Sequence, residues 1–140
     1  ARRELSLLKY WRTGIDRRWG MKQDYLQMRV LPLADEVYSG GQLFAEDIKL
    51  LAKQGVRSIV NNRFDGEVPG QPGSADLARV AEEYGIHFVH FPVEPKAITP
   101  EEVAAFGELC DGLKRPLLVF SRSGARSTRI WEMAEALADQ

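Results

Sequence analysis

The chain has 140 residues, of which 44% are apolar and 28% charged, and its formal net charge is -1; this describes one ordinary globular domain and excludes two. No apolar run approaches the roughly 20 residues of a membrane span, and a chain this long buries roughly two thirds of its unfolded surface without disulfide or metal. One cysteine, Cys110, excludes an internal disulfide and fits a reducing, cytoplasmic setting; with only His87 and His90 beside it, no metal centre is expected.

Residues 1–29 carry eight Lys or Arg against three acids, a net +5, which leaves -6 on the remaining 111 residues. We expect residues 1–30 to form a basic helical arm on an acidic body spanning 33–140. Such an arm can dock on its own body, meet a protein partner or an anionic membrane surface, or serve as a solvated helix. No nucleic-acid partner and no cofactor are expected. A chain starting at Ala1 reads as a processed or excised piece, and residues 1–20 lack the continuous apolar core of a signal peptide.

From residue 35 onward short apolar strands alternate with amphipathic helices, which predicts an α/β fold: a mainly parallel sheet of about four or five strands with helices on both faces. Residues 36–41 read as a strand ending in Gly40-Gly41, and Phe44, Ile48 and Leu51 then repeat with helical spacing up to Gly55. Residues 56–61 form the next strand. The loop from Asn62 to Gly73, with three Gly and two Pro, is long for a compact domain and therefore a functional candidate.

Ser74 reads as an N-cap for a helix through Leu77, Val80 and Tyr84, followed by a strand over 86–91. Thr99-Pro100-Glu101-Glu102 is a capping box opening a helix with Val103, Phe106, Leu109 and Leu113 on its buried stripe. Pro116-Leu117-Leu118-Val119-Phe120 is apolar throughout, as expected of a central strand covered on both faces. The polar turn Ser121 to Arg126 then enters a helix carrying Ile130, Met133, Ala134 and Leu137.

That last turn carries the chemistry. A loop leaving a buried strand and feeding a helix N-terminus gathers backbone N–H groups at one spot, where the helix dipole also favours negative charge. Arg122, Ser123, Gly124, Ala125, Arg126 and Ser127 are thus anion-binding candidates, with Gly124 permitting the tight path and Arg126 supplying a planar fork of donors.

The segment Leu117 to Thr128 resembles the active-site loops of rhodaneses and cysteine-dependent phosphatases, with Ser121 where those families place the nucleophilic cysteine. Ile59-Val60-Asn61-Asn62-Arg63-Phe64-Asp65-Gly66-Glu67-Val68-Pro69-Gly70-Gln71-Pro72 narrows the match. It is similar to the signature of a bacterial family, the phosphatase-like domain of beta-lactamase-hydrolase-like proteins, also described as a sulfurtransferase family. The resemblance covers about residues 33–137 and implies a fold close to dual-specificity phosphatases.

Loop length separates the two chemistries that the resemblance implies. A phosphatase loop sets its arginine six residues after the nucleophile, and many rhodanese-type loops are one residue shorter; Arg126 follows Ser121 by five, and Ser127 stands at the phosphatase position. Phe120 also replaces the histidine that usually precedes a phosphatase nucleophile. Both features favour sulfane sulfur transfer to a thiol acceptor, with phosphoester hydrolysis as the alternative and a non-catalytic module binding an anion or a partner as a third reading.

Ser121 itself cannot form a persulfide, because its hydroxyl is far less acidic than a thiol. The chain is therefore expected to be inactive as it stands, either because Ser121 is an engineered replacement of cysteine or because the protein is a natural binding-only domain. The native codon at position 121 distinguishes the two.

In an open parallel sheet, ligands sit at the carboxyl ends of the strands, which adds Arg63, Asp65 and Glu94 to the candidates. Arg63 would be a second positive clamp; Asp65 or Glu94 would act as catalytic acid in the phosphatase reading. Asp65 can equally fix its own turn, and Glu94 before Pro95 can be a solvated carboxylate. His90 reads as a structural histidine, Cys110 as a small apolar filler, and Ser127 and Thr128 as donors to position 121 or as helix-capping groups.

Overall fold

In the computed structural model, which describes Leu26 and residues 28–140, the elements run β1 (Val30–Ala34), β2 (Val37–Gly40), α1 (Ala45–Lys53), β3 (Ser58–Asn61), α2 (Ser74–Glu83), β4 (His87–His90), α3 (Pro100–Gly112), β5 (Leu117–Phe120) and α4 (Ala125–Ala138). The sheet order is β1-β2-β5-β3-β4, with only β1 antiparallel to its neighbour. The apolar run of β5 lies in the middle, as its residue types require, and all four of its residues are buried.

Side-chain alternation along β5 divides the core in two. Leu118 and Phe120 join Ile48 and Leu51 of α1 and Leu77 and Ala81 of α2. Leu117 and Val119 face the other way, onto Val103, Phe106 and Cys110 of α3 and Ile130 and Trp131 of α4. Helices thus cover both faces of the sheet.

Strand β1 departs from the expected elements. Pro32 lies inside it, and proline removes a ladder donor, so the segment does not read as a strand; at the edge, where one side needs no partner, the residue is tolerated. The hairpin to β2 turns through Asp35 and Glu36, with Glu36 at φ +57° and no glycine to mark the turn. Leu26, Met28 and Val30 are buried in the core, so the expected break between arm and body near residues 30–33 falls within packed structure. The remainder of the expected basic arm, residues 1–25 and Gln27, lies outside the described residues.

Two side chains change roles. Phe44, expected on the buried stripe of α1, is 40% exposed, and Leu43 is buried instead. The chain enters α1 through extended backbone at Phe44, whose N–H donates to the Asp47 carboxylate at 2.8 Å. Ser74 is the first residue of α2 rather than its N-cap, which is Gly73; the Ser74 N–H donates to Asp65 Oδ1 at 2.9 Å, so a carboxylate nine residues upstream takes the capping role. At α3 the expected capping box is present, with Thr99 Oγ1 accepting from Glu102 N at 3.1 Å and Glu102 Oε1 accepting from Thr99 N at 2.9 Å.

Candidate functional site

The loop from Ser121 to Gly124 joins the carboxyl end of β5 to the start of α4. Ser121 is buried, and its N–H continues the β2–β5 ladder to Gly40 O at 3.1 Å. Gly124 has φ +93°, a conformation that side chains resist, and a Cβ there would stand 3.3 Å from the backbone C and O of Gly40. Gly41 lies as close on the other side, since a Cβ there would meet Arg122 O at 3.3 Å, and the Gln42 N–H donates to that oxygen at 3.2 Å. The β2–α1 turn therefore clasps the β5–α4 loop, and glycine at both positions permits the approach.

The first turn of α4 points back at position 121. The Ser127 N–H donates to Ser121 Oγ at 3.3 Å, while the Ser127 hydroxyl donates to Asn62 Oδ1 at 2.6 Å and Thr128 Oγ1 donates to Ser39 Oγ at 2.9 Å. The donor to position 121 is thus the backbone of Ser127, not its hydroxyl or that of Thr128. Arg122, Ser123 and Ala125 are exposed along the rim.

Arg126 reaches across the carboxyl edge of the sheet. Its Nη1 donates to Asn62 O at 3.0 Å, to Val93 O at 3.1 Å and to Glu67 Oε2 at 2.8 Å, and its Nη2 donates to Glu67 Oε1 at 3.0 Å. Arg63, only 2% exposed, donates from Nε to the same Glu67 Oε1 at 2.8 Å and from Nη1 to Gln42 Oε1 at 2.8 Å. Glu67 therefore joins both cationic candidates. Arg126 beside it, then Arg63 and the Phe64 N–H, hold its carboxyl down from an ordinary value near 4.5 to about 2, against the opposing effect of partial burial.

The two carboxylates expected as catalytic acids lie elsewhere in the hydrogen-bond network. Asp65 holds the start of α2. Glu94 is exposed, with Oε1 accepting from Lys96 N at 3.2 Å, although its neighbour Val93 touches Arg126 through the carbonyl. His90 Nε2 lies 2.6 Å from Arg63 O and steadies the loop backbone. Cys110 is buried on α3, where burial pushes its thiol up to about 12.

The sequence by itself assigns no role to Glu67. Its position four residues after Arg63 inside the Asn62–Gly73 loop was the available signal, but only the fold shows that Arg126 arrives at the same carboxylate. Among the described residues no cluster of three or more His, Cys, Asp or Glu could hold a metal ion, and no helix is long and apolar enough to cross a membrane.

A mostly parallel five-stranded sheet, helices on both faces and a strand-to-helix loop at the carboxyl end of the central strand define an α/β domain of phosphatase-like architecture. The chain belongs to the family described as the phosphatase-like domain of beta-lactamase hydrolase-like protein, which residues 28–138 match, β1 included. A beta-lactamase hydrolase-like protein of Agrobacterium fabrum strain C58 is 30% identical over 110 residues, 79% of this chain but 26% of that protein, so the chain spans about a quarter of the curated relatives it matches.

Among solved structures, a protein of Neisseria meningitidis Z2491 described as a candidate phosphatase is 30% identical with a TM-score of 0.73, covering 79% of this chain and 78% of its own. A kinase associated phosphatase whose catalytic-site cysteine is substituted by serine shares the fold at 20% identity and a TM-score of 0.62, covering 80% and 74%.

Proposed function

We propose that the β5–α4 loop is the seat of a small sulfur- or phosphorus-bearing oxyanion, and that with Ser121 at its base this chain binds such an anion without turning it over. The observation that carries the reading is the Ser127 N–H directed at Ser121 Oγ, with the guanidinium of Arg126 held beside the loop. A serine hydroxyl needs a base to become a nucleophile, and among the described residues the hydrogen bond given to Ser121 Oγ is one it accepts from the Ser127 N–H, which is not a base.

With a cysteine at position 121, the reaction we propose is sulfane sulfur transfer. The thiolate would attack the outer sulfur of thiosulfate, the S–S bond would break and sulfite would leave with the electron pair, stabilised by the loop N–H groups and Arg126. An acceptor thiolate would then take the sulfur and restore the cysteine thiolate. The spacing of five residues from Ser121 to Arg126 supports this chemistry.

A second reading, phosphoester hydrolysis through a phosphocysteine, is favoured by the family relation. The two are separated by the intact mass of a Ser121→Cys, Cys110→Ala variant after exposure to thiosulfate or to an aryl phosphate. A gain of one sulfur atom, removed by cyanide, supports sulfur transfer. A phosphoryl adduct without a sulfur adduct overturns it in favour of hydrolysis, and neither adduct overturns both.

A further inference from the structure

A cavity of about 350 Å³ opens at the end of the sheet opposite the β5–α4 loop. Arg115, just before β5, lines it together with Ala34 at the end of β1, Asp111 on α3, Trp131 and Glu135 on α4, and Asp139 just beyond that helix. Three carboxylates against one guanidinium give these side chains a net charge of -2. Among the described residues none of the three carboxylates has an ion-pair partner.

Trp131 is only 8% exposed, yet its indole N–H has no acceptor among the described residues. A buried donor left unpaired is costly, so an occupant that supplies an acceptor is favoured. The ring already attracts a cation, since the guanidinium carbon of Arg115 lies 5.9 Å from its centroid. Arg115 is exposed and is otherwise tied by one long hydrogen bond, 3.4 Å from Nη1 to Asp35 O, so it moves aside at little cost.

A metal ion would answer the carboxylates but not the indole N–H. A basic peptide segment answers both, with a Lys or Arg side chain for the carboxylates and the ring, and backbone carbonyls as acceptors. The chain carries such a segment. Residues 1–25 hold seven Lys or Arg against three acids, a net +4, which leaves -5 on the remaining 115 residues. That segment joins the body at Leu26, which packs in the core eight positions before Ala34, so no more than about 29 Å of extended chain separates the junction from the cavity. The same length counted back from Leu26 arrives at Arg18, which puts Arg18, Arg17, Arg12 and Lys9 within reach. Attachment to the same chain also raises the effective concentration over that of a free basic peptide.

We propose that residues 1–25 dock on their own domain at this cavity, with a Lys or Arg side chain held between Trp131 and the carboxylates of Asp111, Glu135 and Asp139. The dock is independent of the anion seat, which lies at the other end of β5, and it holds the most basic stretch of the chain away from that loop.

The test uses the full chain with Cys110→Ala and a nitroxide attached to Ser6→Cys, read in amide NMR spectra with the label active and then reduced. Signals of Gly107, Asp111, Ala134 and Ala138 lose intensity while the label is active. The loss disappears in the combined variant Asp111→Asn, Glu135→Gln, Asp139→Asn, whose folding is checked by circular dichroism. No loss at these residues, or a loss that survives removal of the three charges, overturns the proposal. A loss of equal size when the nitroxide and the isotope sit on different chains shows a second copy at the cavity and overturns docking on the same chain.

The indole N–H resonance of Trp131, assigned with Trp131→Phe, reads the same contact without a label. It shifts between the unmodified chain and the combined variant Lys9→Gln, Arg12→Gln, Arg17→Gln, Arg18→Gln, and a resonance that stays in place overturns the proposal.

Discussion

The backbone N–H of Ser127 lies 3.3 Å from Oγ of Ser121, so the first turn of α4 donates to the atom at the base of the loop. The same N–H, with the positive end of the helix dipole, would favour a thiolate at that position. We therefore predict that the Ser121→Cys, Cys110→Ala variant titrates below the value of about 8.5 usual for cysteine. The pH dependence of its alkylation by iodoacetamide reads this directly, and an unshifted or raised value would mean that the helix terminus does not act on position 121.

Cys110 behaves in the opposite way. It is buried among Val103, Phe106 and Ile130, and its thiol is pushed up to about 12 chiefly by that burial. In the unmodified protein this lone thiol stays unmodified by an aromatic disulfide reagent between pH 7 and 9 and reacts promptly after denaturation. Rapid labelling of the folded protein would show that α3 opens readily or that the thiol is accessible.

Glu67 makes acid stability testable. Its folded value of about 2 lies below the ordinary 4.5, so its contribution is present above about 4.5 and is lost as pH falls through about 2. The melting temperature of the unmodified chain therefore drops more steeply between pH 5 and pH 2 than that of Glu67→Gln. Parallel curves would contradict a carboxylate held ionised by both arginines.

Asp65 and Gly124 separate support of the frame from shape of the loop. Asp65→Ala removes the acceptor at the start of α2 and costs about 0.5–2 kcal/mol, with phosphate affinity retained. Gly124→Ala forces a side chain to φ +93° against the Gly40 backbone, costs about 1–3 kcal/mol, and lowers phosphate affinity as well. Thermal melts and phosphate titrations check both; lost affinity in Asp65→Ala would return Asp65 to the site.

Most of the fold was legible because its signals are local. The apolar run of β5, the helical repeats and the Thr99–Glu102 box each fix their own element, and burial on both faces places β5 centrally. Strand β1 was hidden because Pro32 argues against a strand and only its edge position resolves the conflict. In the site, the Ser121–Arg126 loop could be read from residue type and spacing. Glu67 could not, because its significance lies in an arginine 59 positions away that reaches the same carboxylate.

The most direct test of the anion seat is a two-dimensional amide NMR titration of the unmodified chain with thiosulfate and, in parallel, with phosphate. Saturable shifts are expected, concentrated at the backbone N–H groups of Arg122 through Ser127. Shifts scattered over the chain, or none in this loop at concentrations that perturb other residues, would contradict it.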